Sequence, residues 1–484
     1  MNTKKLILIV LIILHGVTLY SQQKKYSLEV IIVIAREQSP ASAQSKTRKE
    51  NRYWQYRFFK SNYNPQLRLS GDLPNYQQAT TGVTQADGTI AFQSVDQTNT
   101  YGNLSLQQPI SWTGGTLAFN SYLSYYNNRS LNSRAWNGGP VSIQLIQPLF
   151  AFNQLKWDRM TEPLKYEESK RANVEELEFI SRSVVEKYFT VLEAQVNLQI
   201  AESNLTNTEI IFSMEQDRFN LGTTTREKLL QARLQFLESK QDITQAKINI
   251  KNSKLEFQYY LGHNDNEDFD LELPTNIPDL QIDDVEALKL AKANRADYLA
   301  FERRKIEAER EVAQAKGQLV QTNLIASFGL NNSGSELNDV YTNPLQQQIV
   351  NLTFNIPIVD WGRNRARMQT SIANKRLNDY TIAIDEKNFE REIINQVSQF
   401  VALLNQISIT KESNDVALER YTLSKEKYLT GKMDITNLNI ALAEKDIATR
   451  GYVNALKAFW VAYYDLRRLT LYDFKENKML YDRN

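Results

Sequence analysis

The feature that most constrains this chain is an internal repeat with fixed spacing. Seventy-four positions separate Pro148, in Ile146-Gln147-Pro148-Leu149-Phe150, from Gly222, and 74 also separate Pro357, in Asn355-Ile356-Pro357-Ile358, from Gly431. Proline to proline and glycine to glycine are both 209 positions apart. Each half is therefore expected to carry a strand-like segment ending near a proline, a helix of nearly constant length, a glycine turn and a returning helix. At 1.5 Å per residue, the run from about Asn153 to Asn220 is roughly 100 Å long if unbroken, far more than a globular domain needs.

The turns carry their own signals. In Arg218-Phe219-Asn220-Leu221-Gly222-Thr223-Thr224-Thr225-Arg226-Glu227, Gly222 supplies the left-handed conformation that ends a helix, and Thr224 and Glu227 have capping-box spacing. In Tyr428-Leu429-Thr430-Gly431-Lys432-Met433-Asp434-Ile435, Gly431 stops one helix and Asp434 caps the next. Two sharp antiparallel helical hairpins are expected. Their apolar stripes (Val185, Phe189, Leu192, Val196; Ile393, Val397, Phe400, Leu404, Ile407) alternate spacings of three and four, as in coiled-coil packing.

Strand patterns fill the rest. Leu67 and Leu69 alternate with polar neighbours after Pro65. Residues 74–100, rich in Gln, Thr, Asp and Gly, read as a long exposed loop, and three alternating segments follow between Asn103 and Leu145. Trp112, Tyr122, Tyr125, Tyr126 and Trp136 cluster there, as in the aromatic girdle of a membrane barrel or the core of a soluble hairpin. The second half has only Leu324–Phe328 and Val350–Ile356. The first half thus holds 48 extra residues between its first strand and Pro148, which the pattern assigns to a hairpin around Trp112 to Gly115.

Met1 to Gln22 reads as a secretory signal peptide, with Lys4 and Lys5 before the apolar run Leu6 to Leu14. No later run reaches the length of a transmembrane helix, but barrel strands need only about ten alternating residues each. With 57 basic and 56 acidic residues, no net charge favours a nucleic-acid partner. There is no cysteine, and of two histidines His15 falls in the signal and His263 stands alone. Disulfides, His-based metal sites and Ser-His or Cys-His catalysis are thereby disfavoured, and no cofactor is expected. Asp265, Glu267, Asp268 and Asp270 lack the glycine and ligand spacing of an EF-hand loop and read as a solvated linker.

The expected organisation is a signal at 1–22 and a first repeat at 23–265, with an N-terminal helix, strands about 65–148 and a hairpin about 153–262. A linker follows at 266–284, then a second repeat at 285–472 with strands about 324–357, and a tail at 473–484. The hairpin tips fall at 222 and 431.

This order of elements resembles the TolC family of outer-membrane efflux proteins. The residues that carry it are Arg218-Phe219-Asn220-Leu221-Gly222, Gln147-Pro148-Leu149-Phe150, Asn294-Arg295-Ala296-Asp297-Tyr298-Leu299 and their second-half counterparts. The resemblance implies a mainly α chain with a membrane β-barrel part. Its duplicated strand and long-helix-hairpin halves would form a trimeric β-barrel continued by a periplasmic α-helical barrel. It implies an outer-membrane exit duct of tripartite efflux or type I secretion, served by a periplasmic membrane-fusion adaptor and an inner-membrane pump of RND or ABC type. The usual protomer gives four strands to the barrel; here the extra hairpin raises that to six or projects outside. Leu221, Gly222, Thr223, Thr430, Gly431 and Lys432 become the adaptor-docking tips. Some members latch the entrance with a tyrosine and an arginine on the second hairpin and an aspartate on the first. Tyr428 matches the tyrosine, but Met433 and Lys228 occupy the other two positions, and Asn437 stands where an aspartate ring would begin. Proximity to the turns leaves a Lys228–Asp434 contact as a partial substitute. The competing class is a periplasmic coiled-coil adaptor or interaction protein whose β-part never inserts.

Overall fold

The computed structural model describes residues 24–262, 268–278 and 280–481. The proposed signal, His263, Asp265 and Glu267 lie outside them. In chain order the elements are β1 (Lys24–Tyr26), α1 (Leu28–Gln38), α2 (Pro40–Ser61), β2 (Gln66–Thr84), β3 (Ile90–Ile110), β4 (Gly115–Asn128) and β5 (Ser133–Leu149). Then come α3 (Gln154–Asn220), α4 (Arg226–Leu261), β6 (Phe269–Leu271), α5 (Asp284–Asn294) and α6 (Ala296–Gly317). The chain closes with β7 (Gln321–Gly334), β8 (Leu345–Asn355), α7 (Arg363–Leu429), α8 (Ile435–Thr470), β9 (Tyr472–Asp473) and β10 (Lys478–Met479).

The duplication holds to the residue. Both ends of α7 and of α8 lie 209 positions after those of α3 and α4, and both ends of α5 and α6 lie 256 after those of α1 and α2. The two offsets differ by 47, the length of the segment 66–112 that holds β2 and β3. The additional hairpin is therefore β2–β3, one element earlier than expected; the turn at Trp112 to Gly115 instead joins β3 to β4. Residues 74–100, expected as a loop, are mostly strand, because the Thr-rich stretch pairs residue by residue, Asn75 with Asn99 through Thr84 with Ile90. Asp87 and Gly88 (φ +85°) close a tight turn between them, with the Gln85 N–H donating to the Thr89 carbonyl at 2.7 Å.

The described residues form two compact units, residues 49–170 with 296–388, and the described parts of 24–48, 171–295 and 389–481. The first contains one six-stranded antiparallel sheet in the order β2-β3-β4-β5-β7-β8. The adjoining helical segments are held by Tyr56 stacked on Tyr166 at 4.5 Å and by Arg303 and Arg304 donating to Glu168 and Asp385, both at 2.7 Å. Gly317 lies against the Phe152 backbone, where a Cβ would sit 2.5 Å from a nitrogen, so α6 must end on glycine.

The second unit holds most of the two hairpins, both tips included. Its core includes Tyr188, Phe189, Phe257, Phe400, Phe459 and Tyr463, all at most 2% exposed, each such burial contributing about 2–3 kcal/mol. Part of the expected solvated linker is ordered here: β6 pairs in parallel with β1, burying Phe269 and Leu271. Arg467, on α8, donates to Glu178 at 2.9 Å and to Asp473 at 2.5 Å, and Arg36 reaches Glu178 at 3.0 Å. Burial alone would lower the Arg467 guanidinium, but the Glu178 carboxylate holds it well above its ordinary value.

Candidate functional site

Two regions have functional geometry. In the sheet, neighbours along a strand point to opposite faces, so the registers assign each residue to one face. One row runs Leu67, Leu106, Phe119, Ile143, Phe328, Gln348 across all six strands. The next runs Arg68, Ser105, Asn120, Ser142, Gly329, Gln347. One face is thus mainly apolar, Gln348 being the exception in this row, and the other mainly polar, and the apolar face is bare: Leu69 is 81% and Phe354 70% exposed. Such a sheet suits a boundary between lipid and water. The aromatic cluster divides. Tyr125 and Trp136 are paired on the apolar face with rings 4.5 Å apart, whereas Tyr122 and Tyr126 take the other face and Trp112 lies in the β3–β4 turn, 82% exposed.

The second region is the pair of helical tips. Gly222 and Gly431 adopt φ of +70° and +74°, and both turns make the same two bonds. The Gly222 N–H donates to the Phe219 carbonyl at 3.0 Å and the Thr223 N–H to Arg218 at 2.8 Å; Gly431 repeats the first to Tyr428 at 3.0 Å and Lys432 the second to Lys427 at 2.8 Å. This pattern satisfies the last carbonyls of each helix. Leu221, Thr223, Thr430 and Lys432 are exposed around the glycines.

The second cap is as expected, Asp434 accepting from the Asn437 N–H at 2.9 Å. The first is not: Thr225, rather than Thr224, caps α4 by accepting from the Lys228 N–H at 3.3 Å. Thr224 is drawn aside because its hydroxyl donates to Glu215 at 2.8 Å. Glu215 is the centre of the tips and was missed in the sequence. Its carboxylate, 3% exposed, also accepts from the Tyr428 hydroxyl at 2.8 Å and pairs with Arg218 at 2.9 Å. The Arg218 guanidinium lies 5.6 Å from the Tyr428 ring centre.

Burial pushes the Glu215 carboxyl up, yet the hydrogen bonds from Thr224, Tyr428 and Arg218 outweigh it and hold it below the ordinary 4.5. Burial and the bond to Glu215 raise the Tyr428 hydroxyl. Beneath them Ile211, Ala232, Tyr421, Ile435 and Leu438 form an apolar cluster, with Met433 packed against it. Lys228 is exposed and makes no ion pair with Asp434, whose carboxylate is taken by Asn437. The only available clue to Glu215 was its position one turn before the Arg218-to-Gly222 segment.

The family described as "Outer membrane efflux protein" matches residues 31–263 and 287–470. The chain belongs to the outer membrane efflux protein family. It is accordingly an outer-membrane exit duct of efflux systems, extending into the periplasm, in a family of channel proteins that work with adaptor and pump partners. Solved structures with the same fold include the Campylobacter jejuni CmeC outer membrane channel, at 14% identity and TM-score 0.67, covering 94% of this chain and 87% of that one. A Pseudomonas aeruginosa membrane protein matches at 17% identity and TM-score 0.65, over 93% and 91%. The Vibrio cholerae outer membrane protein VceC matches at 15% and 0.63, over 93% and 96%. A search of curated protein sequences found no match.

Among the described residues no helix is long and apolar enough to cross a membrane, and no group of three His, Cys, Asp or Glu side chains could hold a metal ion.

Proposed function

We propose that the chain acts as a homotrimeric passive duct whose apolar sheet face meets outer-membrane lipid and whose polar face lines the water-filled exit. The observation that carries this is the pair of adjacent rows, one polar across all six strands and one apolar from β2 to β7, with Val350, Leu352 and Phe354 continuing the apolar face on β8. A β-part that never inserts would leave Leu67, Leu69, Leu352 and Phe354 in water, each more than half exposed. Transport is driven by partners: an inner-membrane pump of RND or ABC type, joined through a periplasmic adaptor.

The tips are the adaptor-docking and gating elements. Leu221, Gly222, Thr223, Thr430, Gly431 and Lys432 present the docking turns, and the Glu215–Tyr428 bond ties the first hairpin to the second in the closed state. Opening requires the hairpins to separate, which exposes a buried carboxylate and breaks a charge-assisted bond.

The test is to separate inner and outer membranes and to size the detergent-extracted protein with the detergent mass subtracted. An outer-membrane particle of three chains is expected; a soluble monomer would overturn the proposal. For the tips, replacing Leu221 and Lys432 with glutamate should abolish adaptor capture while leaving the trimer intact.

A further inference from the structure

The two outer strands of the sheet, β2 and β8, each have one edge of backbone N–H and C=O groups without a strand partner among the described residues. Six strands are too few to close a barrel alone, since the smallest known membrane barrels have eight. An open edge within lipid leaves polar backbone unsatisfied at several kcal/mol per group. Both edges must therefore be paired if both lie at membrane depth.

The side-chain pattern puts them there. Taking the row Leu67–Leu106–Phe119–Ile143–Phe328 as reference, the leucines of β2 on the apolar face before its register shift at Asp72 are Leu67 and Leu69, on the row and to one side of it. On the same face of β8 the apolar residues are Val350, Leu352 and Phe354, all to the other side. The apolar zone thus slides by about five residues, roughly 16 Å, across five strand spacings of about 4.8 Å, which is a slope of about 35°. Strands of membrane barrels tilt by about 35–45°. One horizontal lipid band therefore crosses all six strands, the β2–β3 hairpin included, when the sheet is tilted as barrel strands are.

We infer that β2 of one copy pairs with β8 of the next, so that the membrane section of the duct has six strands from every subunit and, in a trimer, eighteen. The 47-residue insertion is part of the barrel wall. Barrels of about 16–18 strands leave an open aqueous channel, so the exit lumen is wider than the four-strand protomer pattern would give and suits bulkier cargo. Its lining is polar and nearly uncharged: Arg68 is the one charged residue in the polar row. This inference rests on the trimeric-duct reading.

The chain has no cysteine, so engineered pairs can be read without background. Arg68→Cys combined with Asn351→Cys or Thr353→Cys places thiols on the polar face at matching depth on the two edges, and Asn120→Cys with the same partners tests closure through β4. Oxidation of outer-membrane vesicles should give covalent dimers and trimers from the Arg68 pairs and none from the Asn120 pairs. Counting strands in the extracted particle by electron cryomicroscopy should give eighteen. Cross-links from Asn120 alone, with twelve strands, would overturn the six-strand inference and leave the trimeric duct standing. Absence from the outer membrane would overturn both.

Discussion

The two helical hairpins have the same backbone and different surfaces. Helix ends coincide at an offset of 209, and both tips make the same glycine-turn bonds. The faces have nonetheless diverged. Phe219 is 38% exposed where its counterpart Tyr428 is 2%, and exposed Arg226 stands opposite Ile435 at 3%. On α4, Leu230, Leu234 and Leu237 are each more than half exposed; the equivalent positions of α8 are Asn439, Ala443 and Asp446. Backbone architecture depends on a few turn and cap residues, which both copies retain. Packing depends on every face position, and there the returning helix α8 is built inward while its counterpart α4 shows its leucines outward.

The largest test of this contrast is at the root of the second hairpin. Arg467→Ala strips the buried Glu178 and Asp473 of their shared cation and should cost about 3–5 kcal/mol, read as loss of thermal stability of the detergent-extracted protein. Leu234→Ala, on the outward face of the first, should cost far less in a monomer. If the two costs are equal in the extracted particle, another chain covers the first hairpin.

At the tips, Tyr428→Phe keeps the ring and removes the hydroxyl donor to Glu215. A loss of about 1.5–3 kcal/mol is expected, as for hydrogen bonds to charged groups, with amide exchange accelerating in residues 210–235 and 420–445. Phe219→Ala, at the repeat-related position, should leave those rates nearly unchanged. Equal acceleration would mean that packing, rather than the Glu215 bond, holds the tips.

The caps should behave alike where the faces do not. Thr225→Ala and Asp434→Ala each remove the acceptor for the third N–H beyond it and should each cost about 1 kcal/mol of local helix stability, seen as fraying of the first turns of α4 and α8 by amide exchange. A large difference between them would break the equivalence of the two turns.

These contrasts also show what was legible in the sequence. Spacing between Pro148 and Gly222 and between Pro357 and Gly431 sufficed for the hairpins, because helix stops are local backbone events. The strands at 74–100 were obscured because Gln, Thr and Asn resemble loop composition; their pairing across Asp87-Gly88 follows from cross-strand register, which composition does not encode. The tip residues were located, but the bond that ties them was not. Glu215 lies in α3 and Tyr428 in α7, 213 positions apart, and only the fold brings them together. Reading Lys228 and Asp434 as a pair took closeness to the turns for contact, when Asp434 is committed to its own helix.

Acid gives the mildest and most specific probe of the asymmetry. Glu215 has its counterpart in Ser424, which does not titrate, so a buried carboxylate at this position is present in one hairpin only. Because the folded carboxyl is held below 4.5, its contribution is fully present above about pH 4.5 and is lost as pH falls through the folded value. Tyr428, raised by burial, stays neutral throughout this range. Amide exchange at the tips, corrected for intrinsic rates, should therefore be level from about pH 7 to 5 and rise below about pH 4.5. In Glu215→Gln the rise should vanish, with somewhat faster exchange at neutral pH because a neutral amide is a weaker acceptor for Arg218 and Tyr428. A rise of the same size in the variant would assign the acid sensitivity to other carboxylates and remove Glu215 as the group that holds the two hairpins together.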